Sequence, residues 1–461
     1  MLNLFEYQNK VAFDGSSEGL EAFLDSIWRK RERFASEEES EGDRSEAQRF
    51  IQFLHKTKEI KSNKYVGVIH YEGQRINLLP KLFYRESHPL SDTEAAHIQS
   101  HVLWWLSYCR KIKFPNYQAS QSDTQSDFFE VLIYLFAKFT RNLLNNSVYQ
   151  RYEEESRETA FIKGRLNTSE YIQHNVSRGR WHKLNCTYDA FLIDNEFNRI
   201  IKYVATLLFR VSTQVENRKY LREILFMLDE VTDSPATAKQ CERIHFNPMF
   251  SVFETVRDYC SLFLSNSISF DYKNELKLFV FLLPMEYVFE DFIFGFIERE
   301  LPQVRASTQR SDTYLDEART FQLRPDLWLE TTGSDPRHPV KRSFIADTKY
   351  KIVYSDDTDP KHGISQTDLY QMISYAIRFG VDEIKLFYPN TLRTSQLASG
   401  ELIIHDTLAG NQRIRITSYQ LPIIHHALFN ESLQTDASLR TLFEDTRMEL
   451  KRALEAAMEE N

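Results

Sequence analysis

Apolar residues recur along this chain with two different periods, and the changes between them divide it into regions. Leu20, Phe23, Leu24, Ile27 and Trp28 fall at i, i+3, i+4, i+7 and i+8, the inner stripe of a helix. Phe50, Ile51 and Leu54 suggest another helix, whereas Tyr65 to Leu82 alternates as a hairpin with its turn at Glu72-Gly73. From about residue 93 to 260 the helical period dominates, in His97 to Leu106, Asp127 to Leu144, Asp194 to Arg210 and Arg218 to Asp229.

The last third reads differently. Pro284 to Leu301 has Val288, Phe289, Phe292, Phe296 and Ile297 on one side of a helix. A short strand is expected near Asp312 to Leu315, and longer strands over Phe321 to Glu330 and Arg342 to Tyr354. Gln366 to Phe379 is expected to be a helix that buries Leu369, Met372, Ile373, Ala376 and Ile377, with Gly380 suited to the left-handed residue that ends it. Glu383 to Tyr388 returns as a strand, so the order is α-β-β-β-α-β. The fold class expected is multidomain α+β: an N-terminal β-rich domain over 1–92, a helical middle domain over 93–261 and a third domain over 262–461.

Composition limits what such a chain can be. At 461 residues it exceeds what one core usually organises, and 34 Phe and 23 Tyr supply ample core material. The longest apolar run, Leu278 to Met285, is interrupted by Pro284 and followed by Glu286, so it does not read as a membrane span. The first residues lack the pattern of a signal peptide, and Cys109, Cys186, Cys241 and Cys260 form no zinc-ligand spacing. A cytoplasmic chain with reduced thiols is expected. The net charge of -9 lacks the basic footprint of a chain that grips nucleic acid unaided. Either it binds none, or something else brings the nucleic acid to it.

Candidate chemistry concentrates in the third region. Strand side chains alternate in direction, so Asp347 and Lys349 in RSFIADTKYK point the same way, and Asp326 in FQLRPDLWLE leaves the apolar face of its own strand. Charges inside apolar strands are costly unless they pair or bind something. Two carboxylates converging near a lysine make an oxygen-donor site suited to Mg²⁺, with Mn²⁺ able to substitute. Such an ion polarises a phosphate oxygen and lowers the pKa of water, while the lysine stabilises developing charge. Glu290 is a candidate third acid for the metal, the alternative being an exposed helix carboxylate. Gln371 and Tyr375 share a helix stripe that could orient the catalytic strand or a phosphate, or could be ordinary polar edge residues. An isolated Asp-x-Lys is usually a strand-edge ion pair; it is the constellation that is specific.

That constellation resembles the PD-(D/E)xK nucleases, with Asp347 in the (D/E) position, and Gln371-Met372-Ile373-Ser374-Tyr375 resembles the Q-x-x-x-Y motif of some of them. More particularly, LRPDLWLE, IADTKYK and DLYQMISYA resemble the McrC family, the cleavage subunits of modification-dependent McrBC restriction. Phe161 to Leu166, Asp189 to Lys202 and Val66 to Phe83 extend the resemblance over nearly the whole chain. It implies a restriction-endonuclease-like third domain, a catalytic set of Asp326, Asp347, Lys349, Gln371, Tyr375 and Glu290, and metal held by Asp326, Asp347 and Glu290. It also implies a hexameric McrB-like AAA+ GTPase as partner, 5-methylcytosine-bearing double-stranded DNA among the substrates, partner docking through the N-terminal domain, and a role in anti-phage defence. The chain has no G-x-x-x-x-G-K-[ST] of its own. A stand-alone repair nuclease of the same fold and a non-catalytic regulator of an AAA+ motor remain as alternatives, though the latter would be expected to lose one of the acidic or lysine positions.

Overall fold

A computed structural model describes residues 2–13, 19–21, 24, 50–71, 74–86, 90–110, 128–271, 277–308, 313–332, 341–353, 361, 364–392, 399–406, 412–429 and 436–459. Within them the chain divides into two compact units, one made of 1–129 with 266–461 and the other of 130–265. This division does not coincide with boundaries at 92 and 261, because the N-terminal segments and the last third build a single unit.

The chain begins with β1 (Leu2–Phe5), β2 (Lys10–Ala12), β3 (Ile51–Leu54), β4 (Glu59–Ser62), β5 (Tyr65–Tyr71) and β6 (Gln74–Leu79). A helix, α1 (Asp92–Tyr108), follows; Ser91 and Glu94 close its first turn as a reciprocal capping box. Strands β5 and β6 form the expected hairpin, pairing up to Tyr71 and Gln74, and the turn residues 72 and 73 lie outside the described ones. Leu20 and Leu24 are buried helical residues, while Phe23, Ile27 and Trp28 also lie outside the described set. The helix expected from Phe50, Ile51 and Leu54 is instead strand β3, paired antiparallel with β4. So short an apolar run does not distinguish the two states, and pairing with a partner strand decides it.

The second unit holds most of α2 (Phe128–Asn146), then β7 (Arg151–Thr159), β8 (Arg165–Leu166), β9 (Leu184–Leu192), α3 (Glu196–Val211), α4 (Val215–Met227) and α5 (Val252–Asn266). The Glu130 carboxylate ties α2 to the α3–α4 turn by accepting from Ser212 Oγ at 2.7 Å, Thr213 N at 2.6 Å and Asn217 Nδ2 at 2.8 Å. The three-stranded sheet β7-β9-β8 was not apparent from a pattern read as mainly helical. Its longest outer strand, RYEEESRET, has no apolar side for alternation to reveal.

The last third contributes β10 (Ser267–Asp271), β11 (Lys277–Pro284), α6 (Met285–Glu300), β12 (Val304–Thr308), β13 (Leu327–Thr332), β14 (Lys341–Thr348), α7 (Gln366–Phe379), β15 (Glu383–Pro389), β16 (Ser399–Asp406), β17 (Gln412–Leu421) and α8 (Asp436–Glu459). Strand β11, the longest apolar run, pairs antiparallel with β5 inside a five-stranded sheet ordered β1-β6-β5-β11-β10. That pairing is what joins the two ends of the sequence. A six-stranded sheet ordered β12-β13-β14-β15-β17-β16 follows, and the run α6-β12-β13-β14-α7-β15 has the expected α-β-β-β-α-β order. No helix among the described residues is long and apolar enough to cross a membrane.

Three strand boundaries differ from expectation. The first strand is Val304–Thr308, while among the described residues near Leu315 there is only an isolated bridge between Tyr314 and Gln322, Asp312 lying outside the described set. Strand β13 starts at Leu327 rather than Phe321, because Pro325 has no N–H for a ladder. Strand β14 stops at Thr348, beyond which Lys349 and Tyr350 are held by side-chain contacts described below. Helix α7 matches its expected limits, ends at Gly380 with φ 66°, and buries Met372, Tyr375 and Ala376 against Ile345, Ile384, Leu386 and Ile416 of the sheet.

The β5–β11 seam depends on Gly67. Its φ is 152°, and a Cβ there would lie 1.9 Å from the carbonyl oxygen of Phe281 on β11. Gly67→Ala should destabilise the fold by at least about 2 kcal/mol through strain and overpacking. The denaturant midpoint checks this, and an unchanged midpoint would contradict the seam described.

Candidate active site

Parallel pairing of β14 with β15 sets Asp347 opposite Leu386 and Thr348 opposite Phe387, at the carboxyl end of both strands. Ile345 and Asp347 therefore face α7 together, and Asp347 ends the apolar stripe with a carboxylate that is 0% exposed. The Lys349 ammonium lies against Asp347 Oδ2 and donates to Gln371 Oε1 on α7 at 3.2 Å. Gln371 Nε2 donates in turn to Tyr375 Oη at 2.8 Å, and Tyr375 Oη donates to the Arg324 carbonyl at 3.0 Å. This relay runs from the buried carboxylate back to the segment that carries Asp326.

Asp326 sits in the turn before β13, not within a strand. Its Oδ2 accepts from both the backbone N and the Oγ1 of Thr348, each at 2.8 Å. The two carboxylates are thus fixed to one stretch of β14, Asp347 covalently and Asp326 through Thr348. Asp326, Asp347, Lys349, Gln371 and Tyr375 are brought together. Glu290 is buried on α6 rather than exposed, but among the described residues no three acidic, histidine or cysteine side chains gather as a metal-holding group. Glu290 therefore does not join the two aspartates in this arrangement.

Burial, and next the Asp326 charge, push the Asp347 carboxyl up to about 7 despite Lys349 beside it. Burial works against the Lys349 charge, yet Asp347, Asp326 and Asp368 outweigh it and hold the ammonium above the ordinary lysine range. Asp368, buried in the first turn of α7, takes Lys351 Nζ on both oxygens at 2.8 and 2.9 Å. Against the penalty of burial, Lys351 and Ser365 keep its carboxyl below the usual carboxylate range. Thr348 is the site residue that motif reading does not single out, whereas Asp368 shares the helix that carries Gln371 and Tyr375, and Lys351 lies two residues beyond Lys349. Lys361, also near these motifs in sequence, is exposed.

The donor set fits a hard divalent cation. Only the Lys349 ammonium engages the Asp347 carboxylate, at Oδ2, and Oδ1 has no hydrogen-bond partner among the described residues. A buried carboxylate left so poorly satisfied is costly, and a cation would both satisfy it and relieve its repulsion with Asp326. Mg²⁺ commonly takes only one or two carboxylates and fills its other positions with water and phosphate oxygens.

Two aspartates and a lysine gathered at the edge of a mixed sheet, backed by a helix that orients the lysine, are groups with the chemistry to take a cation and an anionic group side by side. Residues 60–389 match the McrBC family, described as the McrBC 5-methylcytosine restriction system component, and the chain belongs to that family. No curated protein matches it. Among solved structures, a chain of the half-complex from a tetradecameric assembly of Thermococcus gammatolerans McrB AAA+ hexamers with bound McrC shares its fold. The TM-score is 0.62 at 19% identity, over 96% of this chain and 99% of that one. A chain of the Thermococcus gammatolerans McrBC complex solved by cryo-EM aligns with a TM-score of 0.49 at 20% identity, over 65% and 88%.

Asp347 gives a stability prediction with a defined sign. A carboxyl whose folded pKa is raised imposes no penalty below its unfolded value, and the full penalty above its folded one. Its cost therefore grows as pH rises from about 4 to about 7. Asp347→Asn should raise the thermal midpoint at pH 8 without divalent ions, should leave it little changed near pH 4, and should abolish stabilisation by added Mg²⁺. A lower midpoint at pH 8, or an undiminished response to Mg²⁺, would contradict the site.

Proposed function

We propose that the chain is the DNA-cleaving subunit of a McrBC-type restriction system. It cuts phosphodiester bonds with Mg²⁺ when assembled with a McrB-like AAA+ GTPase, whose GTP hydrolysis it stimulates. On this reading the third region is a PD-(D/E)xK domain. The observation that carries the proposal is the continuous relay Asp347–Lys349–Gln371–Tyr375–Arg324 with Asp326 locked to the same strand.

In this mechanism Asp326 and Asp347 hold the ion, which when bound supplies Lewis acidity and a more acidic water. Glu290 remains a candidate for further assistance from α6. Lys349, kept charged by the carboxylates around it, stabilises negative charge that builds on the phosphate. Gln371 holds the lysine at one angle, and Tyr375 fixes Gln371 in turn. Holding these groups before the substrate arrives is what makes them effective, since little reorganisation remains when charge develops.

The partner follows from electrostatics and from the company the fold keeps. A net charge of -9 gives no general attraction for DNA, and loss of a few phosphate contacts costs orders of magnitude in affinity at physiological salt. The sequence carries no phosphate-binding loop, so a separate motor would supply nucleotide hydrolysis. The assembly of McrB AAA+ hexamers with bound McrC, in which the similar fold occurs, supports that division of labour.

Cleavage should appear only when Mg²⁺, the AAA+ partner and its hydrolysable nucleotide are present together. Asp326→Ala, Asp347→Ala and Lys349→Ala should each reduce it to background while leaving stimulation of the partner's hydrolysis intact. Retention of more than about a tenth of the activity by Asp347→Ala would be too much for loss of a metal ligand and would sink the assignment. Efficient cutting by the purified chain with Mg²⁺ alone, near physiological salt, would favour the stand-alone nuclease instead.

A further inference from the structure

Immediately after Lys349, the side chain of Tyr350 reaches away from the relay and into the opposite end of the sequence. Its hydroxyl donates to Glu6 Oε2 at 3.0 Å, and its carbonyl accepts from Lys81 Nζ at 2.8 Å. The Lys81 ammonium also sits over the Tyr350 ring, 4.3 Å from its centre, and the Lys81 backbone N donates to the same Glu6 oxygen at 3.2 Å. Glu6 and Tyr350 are 1% and 5% exposed. Glu6 is itself fixed by the β1–β6 pairing, which its own N–H extends to the Leu79 carbonyl. Nothing in the relay or in metal holding uses these three residues.

We infer that Glu6, Lys81 and Tyr350 form a clamp by which the N-terminal sheet positions Lys349, so that this sheet is part of the catalytic apparatus rather than an appendage to it. The inference rests on the nuclease reading above. Lys349 keeps only the last rung of the β14–β15 ladder and Tyr350 has left it, so pairing on both sides no longer fixes them as it fixes Asp347. What remains is a hydrogen bond from Lys349 N to the Phe387 carbonyl at 2.8 Å, another from Lys351 N to the Lys349 carbonyl at 2.8 Å, and the grip on Tyr350. A lysine gripped through Gln371 on one side and through its neighbour's carbonyl and ring on the other has little freedom to swing from Asp347. Misplacement of a catalytic group by an ångström can cost up to about a hundredfold in rate.

The test uses the full chain assembled with its AAA+ partner, GTP, Mg²⁺ and DNA, with kcat, KM and the Mg²⁺ half-saturation measured separately. Tyr350→Phe and Glu6→Ala should each lower kcat at least about tenfold with the other two constants unchanged. Glu6→Gln, which keeps an oxygen to accept from Tyr350 and Lys81, should recover most of the loss. Hydrogen exchange on the isolated chain should quicken at the Lys349 and Lys351 amides in Tyr350→Phe and stay as in the parent elsewhere. Tyr350→Phe removes a single oxygen, so it keeps the test available should Glu6→Ala fail to fold. An unchanged kcat in Tyr350→Phe beside an active parent would overturn the clamp alone, as would a loss in Glu6→Gln equal to that in Glu6→Ala. A parent that cuts no DNA under any condition would sink the nuclease reading, and the positioning role with it, whatever the exchange experiment shows.

Discussion

Everything at this site follows from one expensive placement: a carboxylate at the end of an apolar strand, wholly buried, facing a helix. Water cannot solvate Asp347, and the Lys349 ammonium beside it reaches only one of its two oxygens. A hydrophobic residue there would extend the stripe that Ile345 begins and would pack against α7 at no electrostatic cost. The surrounding polar architecture is arranged around this carboxylate. Lys349 neutralises it, Gln371 and Tyr375 orient Lys349, and Thr348 brings the second aspartate alongside. Structures tolerate such a group where it has work to do, and perturbed carboxyls in polar clusters are a recognised sign of function.

The same placement explains why the site cannot be a local motif. Asp326 comes from a turn whose geometry is set by Thr348 across β13 and β14, Gln371 and Tyr375 come from a helix, and the exit of β14 is gripped by residues 6 and 81. Residues 6 and 81 reach this site within one unit to which both ends of the chain contribute, and the pairing of β11 with β5 is one of the seams that join those ends. The intervening residues 130–265 form their own compact unit, an excursion between two halves of the other. A chain folded this way gains precision at its centre from long-range pairing, at the expense of a topology rich in non-local contacts.

How far this was legible in the sequence varied with how local the physics was. Helix α7 carries its limits in its own apolar stripe and in Gly380, and periodicity finds the flanking helices and the strands around Asp347, though not the first strand, Val304–Thr308. The acidic pair and Lys349 stand out because charges rarely interrupt apolar strands. By contrast, Phe50, Ile51 and Leu54 fit either period, and only pairing with β4 makes them a strand. The alternation from Phe321 to Glu330 runs across Pro325 and so hides that Asp326 occupies the turn before the strand. No spacing rule could link Glu6 to Tyr350, since each lies in an unremarkable tripeptide and their contact exists only once the β1–β6 and β5–β11 pairings are made.

Charge ties the site to the behaviour of the whole chain. Around the relay, Asp326, Asp347 and Asp368 face Lys349 and Lys351, so carboxylates outnumber ammonium groups where a phosphate would have to approach. The chain as a whole carries -9, so neither near nor far field draws a polyanion in. On the nuclease reading both deficits have the same remedy, positive charge that the chain does not itself possess. A divalent ion between the aspartates would reverse the local sign, and a DNA-binding partner would supply the long-range attraction. On that reading, local and global electrostatics that both repel the substrate would leave the chain inactive by default, and for a nuclease that shares a cell with its own genome such a default would be a safeguard written into the charge distribution.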